Sequence, residues 1–357
     1  MLEKSSIYDL TEQDLLAWLK EQGIAAFRTM QIWQWLYKKR ATDFSLMHDL
    51  CKETRALLGE HFVLSTLQEV SLQISKSGTL KGLFQLQDGH LIETVLMSHS
   101  YGLSVCISTQ VGCNLGCSFC ASGLLSKKRD LTAGEMVEQV LCMQKKLDDQ
   151  VGGKKVTHIV VMGIGEPFDN YDQLLRFIQI VNHPKGLAIG ARRITVSTCG
   201  IVSKIRNFAD EKLQVNLALS LHAANNALRT QLMKVNKAMP IEVLMEAIDY
   251  YLQKTRRKVT FEYLLLKGIN DHESCAFDLC NLIFARELRH LIYVNLIPYN
   301  GVEQLASYQR SERQAINHFV DVLRQQGINV VIRKSHGGDI QAACGQLRSL
   351  PLSTKAV

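Results

Sequence analysis

The run CNLGCSFC places three thiols at Cys113, Cys117 and Cys120, with three residues and then two between them. Cysteine thiolates are the usual ligands of iron–sulfur clusters, and a cubic four-iron cluster ordinarily takes four of them. A single tight loop that offers three leaves one iron without a protein ligand, and an open metal position is where a small molecule coordinates and reacts. Structural zinc is the main rival. It calls for a fourth Cys or His in a matching half-site, and the chain has no second CxxC and no HxxxH. A thiol oxidoreductase needs only two cysteines and leaves the third unexplained. The spacing therefore points to a cluster.

Other residues extend this chemistry. Cys106 lies seven residues before Cys113, close enough in sequence to sit near the cluster. Cys344 lies in the small, polar stretch GGDIQAACG, which reads as a flexible segment able to carry a thiol into a pocket. Cys51, Cys142, Cys275 and Cys280 fall on apparent helix faces and read as inert buried residues, whereas Cys199 is ambiguous. Gly163-Ile164-Gly165-Glu166-Pro167 lacks the spacing of a dinucleotide fingerprint or a P-loop. Its glycines would let a strand end approach a ligand closely, and Glu166 could meet an ammonium group. Ser197, Ser220, His222 and Asn300 each read singly as structural polar groups. At successive strand ends they read together as a pocket.

The elements that must position these residues are a series of strands and helices. Strands are expected at Leu103–Ser108, His158–Met162, Arg193–Ser197, Val215–Ser220, Val259–Leu266 and Ile292–Ile297, with a further one at Val330–Arg333. Amphipathic helices such as Ala133–Lys146, Tyr171–Val181, Ile241–Lys254, Cys275–Phe284 and Glu312–Gln325 separate them. Repeated βα units imply a parallel sheet. The unusual residues follow the strand ends, where barrel enzymes assemble their sites, so a partly closed barrel is favoured over an open sheet. Before residue 60 the pattern is helical: one helix after Thr11, one through Met30 and Tyr37, and one including Leu46, Leu50, Leu57 and Leu58. From about Val70 to Met97 it alternates as strands.

At 357 residues with 46% hydrophobic and 21% charged side chains, the chain can bury one large core and a smaller module. Five prolines and no polar low-complexity tract argue against long linkers. No apolar run approaches membrane-spanning length, and ten cysteines without a secretion signal read as reduced cytosolic thiols. The net charge of +7 is clustered, and Lys127-Lys128-Arg129 follows the cysteine loop closely enough to attract a polyanion to its rim. The first 60 residues carry eight basic and nine acidic side chains, so that module is not a simple basic clamp.

CNLGCSFC followed by GIGEP resembles the radical S-adenosylmethionine (SAM) superfamily. Adding ETV at Glu93, CISTQVGC from Cys106, ARRITVST from Ala191, SLHA from Ser220, NLIPYN from Asn295 and DIQAACGQL from Asp339 narrows the resemblance to the RlmN/Cfr family of RNA adenosine methyltransferases, over nearly the whole chain. The resemblance implies an incomplete (β/α)6 radical SAM barrel with an N-terminal helical accessory domain and a short β extension. Residues 1–97 would form the RNA-binding accessory domain, 98–333 the barrel and 334–357 a segment carrying a methylated cysteine. It also implies one [4Fe-4S] cluster per chain, held by Cys113, Cys117 and Cys120, and two SAM consumed per turnover. Carried over by position, Gly165, Glu166, Ser197, Ser220, Leu221, His222 and Asn300 contact SAM. Cys344 becomes methylated, Cys106 is its partner, and Glu93 is a candidate proton acceptor.

C2 of adenine is an electron-poor ring carbon that cannot attack a sulfonium methyl group. In the family's scheme one SAM methylates Cys344, which serves as a covalent carrier. A second, cleaved reductively at the open iron, activates that methyl group for addition to the base, and Cys106 then resolves the protein–RNA adduct. GEP at Gly165–Pro167 and QVGC at Gln110–Cys113 resemble the RlmN branch, which methylates C2 of an adenosine in the peptidyl-transferase region of 23S rRNA and, in some members, the adenosine 3′ of the tRNA anticodon. The Cfr branch methylates C8 of the rRNA base. Cys199 and Gln341 depart from a common serine and a common aspartate. A non-catalytic iron–sulfur RNA-binding or sensor protein would need neither Cys106 nor Cys344, and a small-molecule radical SAM enzyme would have no use for the N-terminal module. The expected partners are 23S rRNA, tRNA and an electron donor such as flavodoxin or ferredoxin, with no membrane. The expected state is a cytoplasmic monomer.

Overall fold

The computed structural model of the chain describes residues 4–149, 153–302, 305 and 307–347. Three helices open it. Helix α1 (Glu12–Glu21) starts at Thr11, whose hydroxyl and Asp14 form a reciprocal capping box. Helix α2 (Arg28–Gln34) widens into a π turn at Trp35–Lys39 and stops where Arg40 adopts φ 52°. The third expected helix is divided. Leu46 closes a single 3-10 turn (Phe44–Leu46), the chain then turns through Leu50, and α3 spans Lys52–His61 with Cys51 at its N-cap. Cys51 is accordingly exposed, contrary to the expectation of a buried thiol. The module docks through buried polar contacts. Asp9 accepts from Gly134 N at 2.7 Å, and Glu138 accepts from Ser6 Oγ and from Thr66 N and Oγ1.

From residue 68 onward the chain builds one sheet, with ten strands among the described residues. In chain order these are β1 Gln68–Ile74, β2 Leu80–Gln85, β3 Leu91–His99, β4 Gly102–Cys106, β5 Val156–Val161, β6 Ile194–Thr198, β7 Asn216–Ser220, β8 Val259–Leu265, β9 Ile292–Pro298 and β10 Asn329–Ile332. Spatial order repeats chain order. The joins from β1 to β4 are antiparallel and those from β4 to β10 parallel. The parallel joins require crossovers. These are α4 (Ala133–Asp148), α5 (Tyr171–Asn182), α6 (Val202–Asp210), α7 (Asn226–Leu232) with α8 (Ile241–Thr255), α9 (Glu273–Phe284) and α10 (Arg313–Gln325). Each strand expected from the sequence is present within about two residues at either end. The short strands before the barrel are not a separate sheet, because β3 pairs directly with β4.

β1 and β10 are the two edges, so the ladder does not close and the barrel is incomplete. Its curl is marked by Arg333, one residue past β10. The guanidinium donates to Met162 Sδ just past β5 at 3.3 Å and pairs with Glu262 on β8 at 3.4 Å. Residues 334–347 then run along the open side toward β2 and β3. The His336 ring meets that of His99 at 4.5 Å, and Lys76 N donates to Asp339 Oδ2 at 3.0 Å. Among the described residues no helix is long and apolar enough to cross a membrane.

Candidate active site

The cysteine loop leaves β4 and is tied at its neck. Gln110–Val111 pairs antiparallel with Arg129–Asp130, and Cys113 N donates to Leu125 O at 2.9 Å. Gly112 needs its φ of +78°, and a Cβ there would lie 2.3 Å from Ser126 O. The loop presents Cys113, Cys117 and Cys120 half-buried. Burial first, and then the neighbouring thiols, hold Cys117 well above an ordinary cysteine, while Cys113 is pushed up to about 11 for the same reasons, eased by the Leu115 N–H. A cationic group relieves this, because metal binding takes cysteines as thiolates. Among the described residues no three His, Cys, Asp or Glu side chains are grouped to grip one ion. One thiolate per iron in a polynuclear unit fits this donor set better than a single-ion cage.

Cys344 is brought to the same place. The segment expected to be flexible is held along its length. Lys81 Nζ donates to Gln341 O at 3.1 Å, Gln346 Nε2 to Gly301 O at 2.7 Å, Ala121 N to Gly345 O at 2.8 Å and Ser122 Oγ to Leu347 O at 2.8 Å. The last two donors directly follow Cys120, so the segment is stitched to the cysteine loop. Cys344 is solvent-accessible, yet it is enclosed by enough protein that burial raises its thiol. Cys106 is buried at the end of β4, its thiol lifted to about 12 by burial and then by the nearby Cys344. Glu93, on β3, forms a buried ion pair with Lys81 (2.6 Å) on β2. One ammonium thus joins Glu93 to the backbone that carries Cys344.

The residues expected to meet SAM occupy strand ends. Ser197 and Ser220 face each other across β6 and β7, with their hydroxyls 3.3 Å apart. Leu221 is buried, and Asn300 Oδ1 accepts from Ser335 Oγ at 2.8 Å. His222 sits at φ +58°, a strained conformation for a residue with a Cβ. Its Nδ1 accepts from Leu264 N at 3.0 Å, so the ring proton is assigned to Nε2. Burial and then Arg229 hold His222 down at about 3, which keeps the imidazole neutral.

GIGEP works differently from expectation. Both carboxylate oxygens of Glu166 are committed to the protein, one accepting from Phe168 N (3.0 Å) and the other from Cys199 N (2.8 Å). What the glycines let close in is a neighbouring strand end. A Cβ on Gly165 would meet Gln110 Cβ at 2.7 Å, and one on Gly163 would meet Ile107 O at 2.6 Å. Because Gly163 would strike backbone that cannot swing away, Gly163→Ala is expected to cost about 1–3 kcal/mol, measurable as a lowered urea midpoint. An unchanged midpoint would remove the close approach as the reason for glycine. Cys199 is buried beside Glu166, which marks it as a structural residue.

Two features have no strong signal in the sequence. Two of the three clustered cations are neutralised at home: Lys127 pairs with Asp130 and Asp169, and Arg129 with Asp88 and Glu135, which leaves the exposed Lys128. Arg229, on α7, is fully buried. It donates to Cys199 O (2.6 Å), Leu221 O (3.2 Å), Ser220 O (3.4 Å) and Asn236 Oδ1 (2.8 Å).

Comparison with known proteins places this geometry. The family model of the Radical SAM superfamily matches residues 107–277, and that of the ribosomal RNA large subunit methyltransferase N-terminal domain matches residues 5–64. The chain is 57% identical to a probable dual-specificity RNA methyltransferase RlmN of Listeria monocytogenes, over 98% of this chain and 94% of the relative. It is equally similar to the same-named protein of Shouchella clausii, over 98% and 97%. A solved radical SAM methyltransferase from Sphaerobacter thermophilus superposes with a TM-score of 0.92 at 43% identity, over 97% of this chain and all of that one. The superfamily implies a [4Fe-4S] cluster and SAM, and the three-thiol loop at the barrel mouth suits both. With relatives this similar over nearly its whole length, the chain belongs to the RlmN family of radical SAM RNA methyltransferases.

Proposed function

We propose that this chain methylates C2 of an adenosine in the peptidyl-transferase region of 23S rRNA, and C2 of the adenosine 3′ of the tRNA anticodon, through a methylated Cys344. The observation that carries the reading is the stitching of Gly345 and Leu347 to Ala121 and Ser122, which sets the carrier thiol beside the cysteine loop. The cluster and SAM, when bound, supply the methyl group and the one-electron chemistry, with one cluster per chain and two SAM per turnover. The chain's residues do the rest. Cys113, Cys117 and Cys120 hold the cluster. Gly165, Glu166, Ser197, Ser220, Leu221, His222 and Asn300 shape the SAM pocket, Glu166 by fixing the strand-end backbone and His222 as a neutral Nε2–H donor. Cys344 Sγ accepts the methyl group and passes it to the base, Glu93 receives the proton displaced from C2, and Cys106 frees the product by forming a disulfide with Cys344.

Residues 1–97 act as the RNA-facing accessory part, 98–333 as the barrel and 334–357 as the carrier segment. Residues 348–357 lie outside the described residues. The enzyme works as a cytoplasmic monomer and draws electrons from a flavodoxin or ferredoxin. C2 faces the minor-groove edge of adenine, so the target base must be unpaired or splayed out, and protein-free 23S rRNA is the expected substrate. Nucleoside mass spectrometry of rRNA and tRNA, from a strain lacking the gene and its complemented parent, is expected to show 2-methyladenosine only with the gene present. Predominant 8-methyladenosine would move the chain to the other branch. No gene-dependent methyladenosine would end the reading.

A further inference from the structure

Arg229 presents an electrostatic problem that the fold does not solve. Its side chain has no accessible surface, and every hydrogen-bond acceptor it uses is a neutral carbonyl or amide oxygen. Among the described residues no carboxylate forms an ion pair with it. A buried guanidinium without a counter-charge costs several kcal/mol in effective desolvation, yet this one is pinned by strand-end and side-chain acceptors as if its position were required. The same stretch of chain abuts the cysteine loop. Ser118 N and Oγ both donate to Leu232 O, one turn after Arg229, at 3.0 and 3.2 Å. The aliphatic end and ammonium of Lys234 lie over Gly116, 3.4–3.7 Å from where its Cβ would be. Cys199, whose carbonyl accepts from Arg229, packs in one cluster with Leu228 and Leu232 beside the arginine and with Cys117 of the three-thiol set.

We propose that Arg229 is a positioning residue that serves as the resident counter-cation of the iron–sulfur site, stabilising the reduced cluster and fixing the strand-end carbonyls that border it. This rests on the reading of Cys113, Cys117 and Cys120 as the cluster ligands. Three thiolates give the site net negative charge, and one-electron reduction adds one unit more. A nearby fixed cation therefore favours the reduced form and raises the potential, because net charge around a cluster is one of the terms that set it. The pinning by four acceptors matters for the same reason: a cation that cannot swing away contributes without reorganisation. Exposed Lys234 adds a weaker, screened contribution from the loop's outer side.

The test is an EPR-monitored redox titration of the reconstituted full-length protein, without SAM or RNA. Arg229→Gln is expected to lower the ratio of reduced to oxidised cluster at a fixed potential about tenfold, a shift of about 59 mV to more negative values for a one-electron couple. Asn236→Asp keeps the arginine and puts a carboxylate on the atom that already accepts from Nη1 at 2.8 Å. By pairing with the cation it is expected to shift the potential the same way. Arg229→Lys retains the charge and is expected to stay near the wild-type value. A purely structural role would not sort the three variants by charge. If Arg229→Gln fails to take up iron, Asn236→Asp decides. A wild-type potential in Asn236→Asp, or in an iron-loaded Arg229→Gln, overturns the proposal. Wild-type protein that binds no iron after anaerobic reconstitution would instead overturn the cluster reading beneath it.

Discussion

Cys344→Ala is expected to abolish methyl transfer to RNA while leaving the protein folded. The bonds that anchor this segment run through backbone atoms of Gln341, Gly345 and Leu347 and through the side chains of Asp339 and Gln346, not through the thiol, and the Cys344 side chain itself is solvent-accessible. The fold therefore loses one exposed sulfur, and the reaction loses the atom on which the methyl group travels. Intact-mass and peptide analysis of cluster-loaded wild type is expected to show about 14 Da, one CH2, added at Cys344. The cysteine partner gives the complementary result. Cys106→Ala still accepts the methyl group and attacks RNA but cannot release it, so a covalent protein–RNA adduct accumulates on denaturing gels. Normal turnover by Cys344→Ala would remove the carrier role outright, and free product with no adduct from Cys106→Ala would remove the resolving role.

The second large effect is on iron. Anaerobically prepared protein is expected to hold about four irons per chain. Cys117→Ala, which removes the middle thiol of the loop, is expected to reduce this to a small fraction and to bleach the brown absorbance. Two thiolates cannot anchor a cube that already lacks a fourth protein ligand. The loop's backbone bonds, such as Ser118 N to Leu232 O, do not involve that sulfur, so the fold is expected to survive. Full iron in Cys117→Ala, or stoichiometric zinc and no iron in wild type, contradicts the cluster.

Much of this was legible in the sequence because the signals are local. Apolar strand runs alternating with amphipathic helices marked β4 to β10, and the three thiols announced themselves by spacing alone. What was hidden depends on distant partners. Lys127-Lys128-Arg129 looks like a patch for a polyanion until Asp88, Asp130, Glu135 and Asp169 fold against it. Gly163 and Gly165 carry the same letters whether they approach a ligand or a neighbouring strand, and only the Ile107 and Gln110 contacts decide. The third N-terminal helix was misread because Leu46, Leu50, Leu57 and Leu58 keep a helical period across a turn that divides them. Arg229 and Lys81 had no motif at all: their meaning comes from what surrounds them.

The ties of the carrier segment also bear on how the molecule assembles. Lys76–Asp339, Lys81–Gln341 and Ser122–Leu347 join residues 263, 260 and 225 positions apart. The β2–β3 hairpin, by contrast, closes over a few residues at Asp88-Gly89. Loop-closure entropy grows with the length of chain spanned, so local hairpins and adjacent βα units precede such contacts in folding. The barrel wall and its thiol loop thus take shape while the last segment is still undocked.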